Sequence, residues 1–343
     1  MPPMSLTIYI TKDFDQMSHV AAQITEAKIK HIQASAQTVN LGLATGNSPT
    51  GLYKHLAKAF NSKRLDADRV RSFNLDEYIG LPGENAQQRA LHCKSYSYFM
   101  IAELFGLLQQ KFIETYVPYG SLIEQTQLEK ELTAHPEYYT MRGNSRGQAI
   151  EINAEAAGLL REIKQNILDS YLRKIEEAGG IDLQIIGVGG LGHVAFHESG
   201  IPFDCSPIIL VKLDDNTIKN AVTDGSFASV AESPHYAISM STELVFKAKT
   251  VLLLANGPRK TTPIAKSLLD SISCDVPLSY SQQYAATGGE MIYILDEPAA
   301  LDVLTARDIL LSKGYTVVDL RHESYEKVEQ IMFSRNPQTC ILG

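Results

Sequence analysis

Cysteine is scarce in this chain, charge of one sign never runs on, and no apolar stretch is long. Each shortage removes a class of protein. The four cysteines, Cys93, Cys205, Cys274 and Cys340, form no CxxC pair and show no zinc-ligand spacing. Neither a metal centre nor a disulfide scaffold is indicated. Scattered thiols in a chain of 343 residues fit a reducing compartment. No apolar run approaches the roughly 20 residues of a membrane helix. Residues 6–10 (LTIYI) are too short for a signal peptide. The expectation is a cytoplasmic protein with no membrane partner. Net charge is −8, with 39 acidic against 31 basic residues and no long basic block, so nucleic acid is not an expected partner either.

What is present is ordinary globular material, 44% apolar and 20% charged, in a length that buries a core without metals or disulfides. Strand-like and helix-like runs alternate, which marks an α/β fold with a mainly parallel sheet. Strands are expected at 6–10, 38–43, 70–75, 182–187, 208–213, 250–255, 291–295 and 315–319. Helices are expected at 13–32, 51–60, 95–109 and from Ile152 to about Ala178, the last stopped by Gly179–Gly180. Residues 111–150 are less regular and carry Pro118, Gly120, Pro136, Gly143 and Gly147. They read as an insertion in a single domain spanning residues 1–343. No repeat or low-complexity tract interrupts it.

Four segments carry chemistry. TGNSPTG (45–51) follows a strand and precedes a helix, where backbone N–H groups and small hydroxyls make an anion site. It lacks the GK[ST] of a nucleotide-binding loop, and a plain capped turn would look similar. FNLDEYIGLP (73–82) delivers Asp76 and Glu77 at a strand's carboxyl end, where open α/β sheets bind ligands and a carboxylate can move a proton. Taken alone, an Asp-Glu pair is more often a cap or a surface pair.

The third segment, 182–200, formally contains GxGxxG at Gly187, Gly189 and Gly192. Gly200 and Pro202 arrive too soon for the long helix a dinucleotide site needs. The preferred reading is a glycine loop presenting His193, with His197 and Glu198 nearby, for proton transfer. A metal is the weaker reading, because no third ligand pattern appears. The fourth, VLLLANGPRK (251–260), ends a strand in a Gly-Pro turn with Arg259 and Lys260, cations suited to a phosphate or simply solvated.

Together and in this order, with HCKSYSYFM (92–100), the segments resemble the glucosamine-6-phosphate deaminase, or NagB-like, family from about residue 38 to 285, with a gap over the insertion. The resemblance implies a Rossmann-like three-layer α/β/α sandwich of the NagB/RpiA-like kind, with no nucleotide and no cofactor. It implies that Asp76 moves a proton between C2 and C1 of the sugar, that His193 helps open the ring, and that Glu198 assists it. Thr45, Gly46, Asn47 and Ser48 would hold the phosphate, joined by Lys260. Further candidates are Glu77, Gly189, Gly192, His197 and Arg259. The implied reaction takes glucosamine 6-phosphate, or its galactosamine isomer, to a ketohexose 6-phosphate and ammonia. The chain departs from the family where Leu191 replaces an acid, where His197 replaces an asparagine, and where 214–226 lacks a phosphate arginine and holds Lys219, Asn220 and Thr223. A 6-phosphogluconolactonase-like hydrolase, a non-catalytic sugar-phosphate sensor and a nicotinamide dehydrogenase are the competing readings. A homo-oligomer is compatible with the sequence, which leaves subunit number open.

Overall fold

The computed structural model describes residues 5–35, 37–223 and 227–335; residues 1–4 and Cys340 lie outside them. Long apolar runs buried on both faces make a parallel sheet. Its eight strands are β1 (Leu6–Thr11), β2 (Val39–Leu43), β3 (Val70–Asn74), β5 (Glu114–Tyr116), β8 (Leu183–Ile186), β11 (Thr250–Ala255), β12 (Glu290–Asp296) and β13 (Thr316–Asp319). They lie in the order β13-β1-β12-β11-β8-β2-β3-β5, and every pairing is parallel. Helices flank this sheet in the three-layer α/β arrangement. The helix Phe14–Ala34 starts where Asp13 accepts the Gln16 N–H and packs on β12, β1 and the helix Thr50–Asn61.

A second sheet is antiparallel. It consists of β4 (Asp76–Ile79), β6 (Tyr139–Asn144), β7 (Gly147–Ile152), β9 (Ile208–Lys212) and β10 (Tyr236–Met240), ordered β4-β10-β9-β7-β6. One residue, Leu75, joins the two sheets. Its N–H donates to Leu43 of the first sheet at 3.1 Å, and its carbonyl accepts from Met240 of the second at 2.8 Å. Asp76 is therefore fixed at a backbone joint that is hydrogen-bonded on both sides.

Three expectations are corrected. Ile152 ends β7 rather than opening a helix, which begins at Gly158. That helix widens to a π turn over Ile163–Leu168 before running on to Glu177. It stops as expected: Gly179 and Gly180 both have left-handed φ, 85° and 86°, and the Gly180 N–H returns to Ile175 O at 2.9 Å. Residues 111–150 are not loosely ordered. They supply β5, the helix Gln125–Ala134, β6 and the start of β7. The expected helix at 95–109 is shorter, Tyr96–Glu103, followed by a single tight turn.

One apolar cluster runs from Leu6 to Met332 through the parallel sheet. A smaller one, with Tyr78, Phe196, Ile209 and Val211, lies against the second sheet. Among the described residues, no helix is long and apolar enough to cross a membrane.

Candidate active site

Strands β11, β8, β2 and β3 are consecutive neighbours and parallel, so their carboxyl ends share one edge. Each of the four chemistry-bearing segments leaves from one of them. Residues 45–48 follow β2, Asp76 follows β3, the glycine loop follows β8, and 256–260 follow β11. The loops are also linked directly. The Ser48 hydroxyl donates to Asn256 Oδ1 at 2.7 Å, and Lys260 Nζ donates to Val188 O at 2.6 Å. The phosphate-type loop, the glycine loop and the cationic turn thus form one rim. Arg259 sits on the same turn, exposed.

The 45–48 loop is held from beneath by Tyr53, which is fully buried. Its hydroxyl donates to Ala44 O at 2.5 Å and accepts from Ala44 N at 3.1 Å. Gly46 has φ 94°, a left-handed value that glycine adopts freely. No side chain caps the helix Thr50–Asn61 that follows, which leaves its positive end open toward the rim.

Asp76 and Glu77 are both buried but differ in their partners. Glu77 accepts the N–H groups of Tyr78, Tyr96 and Ser97, each at 2.9 Å, and the Ser97 hydroxyl at 3.0 Å. It anchors the start of the helix Tyr96–Glu103 and is committed to that task. Burial still pushes its pKa up to about 7, against the pull of those donors. Asp76 is held well above the usual carboxylate range, first by burial and then by the Glu77 charge beside it. Its charge reaches Tyr53, Tyr78, Tyr96 and Tyr171. A carboxylate buried beside a second acid is poorly solvated and correspondingly basic.

Asp76 and the glycine loop meet. Ser239 is the register partner of Asp76 across β4 and β10, and its hydroxyl accepts the Phe196 N–H at 3.0 Å. The Phe196 ring packs on Tyr78 at 5.1 Å and stacks on Tyr96 at 5.8 Å with a 7° interplanar angle. Tyr78 senses the charges of Asp76, Glu77 and Glu198 alike.

Within the loop no helix follows β8, so the dinucleotide pattern has no structural counterpart. The His193 ring lies over Gly189, where a Cβ would stand 1.7 Å from Nε2. His193 Nδ1 is 2.7 Å from Ala195 O. A carbonyl only accepts, so Nδ1 carries the proton and Nε2 of the neutral ring is the acceptor. Ala195 has φ 52°, an uncommon value for a residue with a Cβ, and it turns that carbonyl back onto the ring. Glu198 is buried, and its Oε1 has no hydrogen-bond partner. Burial raises its pKa, while the nearby His193 charge opposes the rise. Gly192 (φ 85°) is packed against Val276.

His197 belongs to the packing and stands apart from these groups. It is fully buried, Nε2–H donates to Ile201 O at 3.0 Å, and Nδ1 accepts the Thr242 N–H at 3.1 Å. Burial depresses its pKa to about 4. Leu191 is 43% exposed and contributes only its carbonyl, to the Ser199 hydroxyl at 3.3 Å. Asn220, on the helix Asp215–Thr223, lies against Gly190. Among the described residues, no group of three His, Cys, Asp or Glu could hold a metal ion. Sequence reasoning did not single out Tyr53, Asn256, Ala195 or Phe196. Tyr96 was in view only as part of HCKSYSYFM.

No protein-family model matches the chain. It is 31% identical over 295 residues to a glucosamine-6-phosphate deaminase of Clostridium botulinum (strain Loch Maree / Type A3), covering 86% of this chain and 98% of the relative. A glucosamine-6-phosphate deaminase of Clostridium acetobutylicum is 33% identical, with 86% and 99% covered. A solved monomeric glucosamine-6-phosphate deaminase of the NagB superfamily superposes with TM-score 0.64 at 24% identity, covering 87% and 100%. The 6-phosphogluconolactonase of Trypanosoma brucei superposes with TM-score 0.58 at 14% identity, covering 88% and 99%. The two superpositions establish the shared fold. The sequence relatives, aligned over nearly their whole length, establish more: the chain belongs to the glucosamine-6-phosphate deaminase family.

Proposed function

We propose that the chain converts an amino-sugar 6-phosphate, glucosamine 6-phosphate first among candidates, to a ketohexose 6-phosphate and ammonia. One observation carries the reading. Four neighbouring parallel strands end in a phosphate-type loop, a buried aspartate, a histidine–glutamate loop and a cationic turn.

An aldose-to-ketose shift needs the ring opened, a base able to reach C2 and C1, and a fixed distance from the anchor to both. Thr45, Gly46, Asn47 and Ser48 with Lys260 take the phosphate, so the carbons are held relative to the base. Nε2 of His193 faces the ring oxygen or its hydroxyl, and Glu198 shares the proton. Asp76, basic for a carboxylate, takes the C2 proton and returns it at C1. The proton shift leaves an imine at C2; water adds to it and ammonia departs, leaving the C2 ketone. None of these steps requires a metal or redox cofactor. The carbonyl of Ala195 orients the imidazole, a task that Leu191 cannot perform.

The lactonase reading is supported by the fold alone. A panel of hexosamine 6-phosphates, scored together for ammonia and ketose and run beside 6-phosphogluconolactone, separates the two. Ammonia and ketose in equal amounts are expected. Lactone hydrolysis without ammonia overturns the proposal, and tight binding without turnover favours a sensor.

A further inference from the structure

We infer that the β6–β7 hairpin positions the catalytic loop, with Gly147 as its critical residue. This rests on the reading of Glu198 and His193 as the acid–base pair. The hairpin lies in the segment over which the family resemblance has its gap, so its task is not inherited from the motifs.

The turn of the hairpin presses on the loop where Glu198 sits. A Cβ on Gly147 would stand 2.2 Å from Glu198 Cβ and 3.1 Å from Ser199 O. Gly147 is absent from the residues with positive φ, so its backbone does not demand glycine and the contact does. Two residues beyond Glu198, Gly200 (φ 91°) faces the Asn144 side chain, 2.3 Å from where its own Cβ would be. The opposite wall is the turn 273–278. There the Gly200 N–H donates to Cys274 O at 2.8 Å, and Gly192 O accepts the Leu278 N–H at 2.9 Å. Arg146 of the hairpin pairs with Asp275 of that turn, which ties the two walls together across the loop.

Glu198 needs such support. Oε1 is buried without a hydrogen-bond partner; Thr217 and the Asp214 backbone hydrogen-bond the carboxylate, and the hairpin turn sets where its Cβ is held. A shift near 1 Å in a catalytic group can cost on the order of 100-fold in rate. The hairpin therefore acts through Glu198.

The test uses the full chain carrying Gly147→Ala, read by steady-state kinetics with glucosamine 6-phosphate and by amide hydrogen exchange of residues 189–200. Expected are a kcat lowered on the order of 100-fold, a KM changed by no more than about threefold, and a shifted pH profile of kcat. Amides from 192 to 200 should exchange faster while β2 and β11 stay protected. Should Gly147→Ala fail to fold, Arg146→Ala and Arg146→Lys decide, since Arg146 is exposed. The alanine variant should loosen the same amides and the lysine variant should restore them. Unchanged loop exchange in whichever variants fold overturns the inference. So does a uniform loss of protection across the sheet. If the wild type releases no ammonia, the functional reading fails, and the exchange data still decide the role of the hairpin.

Discussion

Replacing Asp76 with asparagine should stop catalysis and, at the same time, make the protein more stable at neutral and alkaline pH. Asp76 is 6% exposed. Its pKa lies well above the ordinary 3.8, through burial and then through the charge of Glu77. A carboxyl whose folded pKa is raised favours the folded state below its unfolded pKa, and that contribution is lost as pH rises through the folded value. The wild type therefore carries an ionisation penalty at pH 8 that asparagine, nearly the same shape and neutral, does not. The cost of burying a polar group without compensation is roughly 1–3 kcal/mol in protein mutational data, and relief of the Glu77 repulsion acts in the same direction. Thermal melts of both proteins should be compared from pH 4 to pH 8. The variant should melt several degrees higher at pH 8, and the gap should narrow toward pH 4, as the unfolded carboxyl approaches its ordinary 3.8. A variant less stable at pH 8, or a gap independent of pH, refutes the burial account of Asp76. Stability gained as activity is lost is the exchange expected of a buried carboxylate that the proposed chemistry requires.

Gly189→Ala would place a methyl group 1.7 Å from His193 Nε2. Its kcat should fall on the order of 100-fold, with an overpacking cost of about 1–3 kcal/mol in the melt; wild-type kcat would refute the ring's position. Tyr53→Phe leaves both polar groups of Ala44 without the hydroxyl they share. It should cost about 1–3 kcal/mol and raise KM more than it lowers kcat, and an unchanged KM counts against the loop as phosphate anchor. His197 has a depressed pKa near 4 against an ordinary 6.5. It contributes stability above pH 6.5 that is lost as pH falls toward 4, about 3 kcal/mol at full extent. His197→Gln should flatten that part of the stability–pH curve, and an unflattened curve assigns the acid sensitivity elsewhere.

The strands legible in the sequence were those of the parallel sheet other than the short β5, together with β9 of the antiparallel one, because burial writes a continuous apolar run, as in TVLLLA at residues 250–255. The partners in the antiparallel sheet were harder to see. β6 is largely exposed and carries Arg142, Gly143 and Asn144. β4 is a four-residue continuation of β3 past Leu75, which no local pattern separates from it. β10 mixes serine with apolar residues although all five are buried. The expected site residues largely converge on one sheet edge, since glycine turns and paired acids at strand ends show in the sequence. Glu77 and His197 could not be sorted the same way. Whether a carboxylate is taken up by a distant helix start, or an imidazole by two distant backbone groups, depends on tertiary neighbours. Ala195 gave no signal of its own beyond its place in the glycine-loop segment, because an alanine with φ 52° looks like any other alanine.

The central claim is that Asp76 carries a proton between adjacent carbons of a phosphate-anchored amino sugar. Turnover of glucosamine 6-phosphate in D2O, followed by NMR of the ketose, tests it directly. The wild type should yield ammonia and a ketohexose 6-phosphate whose C1 has gained one hydrogen, deuterium wherever the Asp76 carboxyl exchanges with solvent before releasing it, and Asp76→Asn should yield neither while still binding the sugar phosphate. Deuterated product from the asparagine variant at the wild-type rate would contradict the claim.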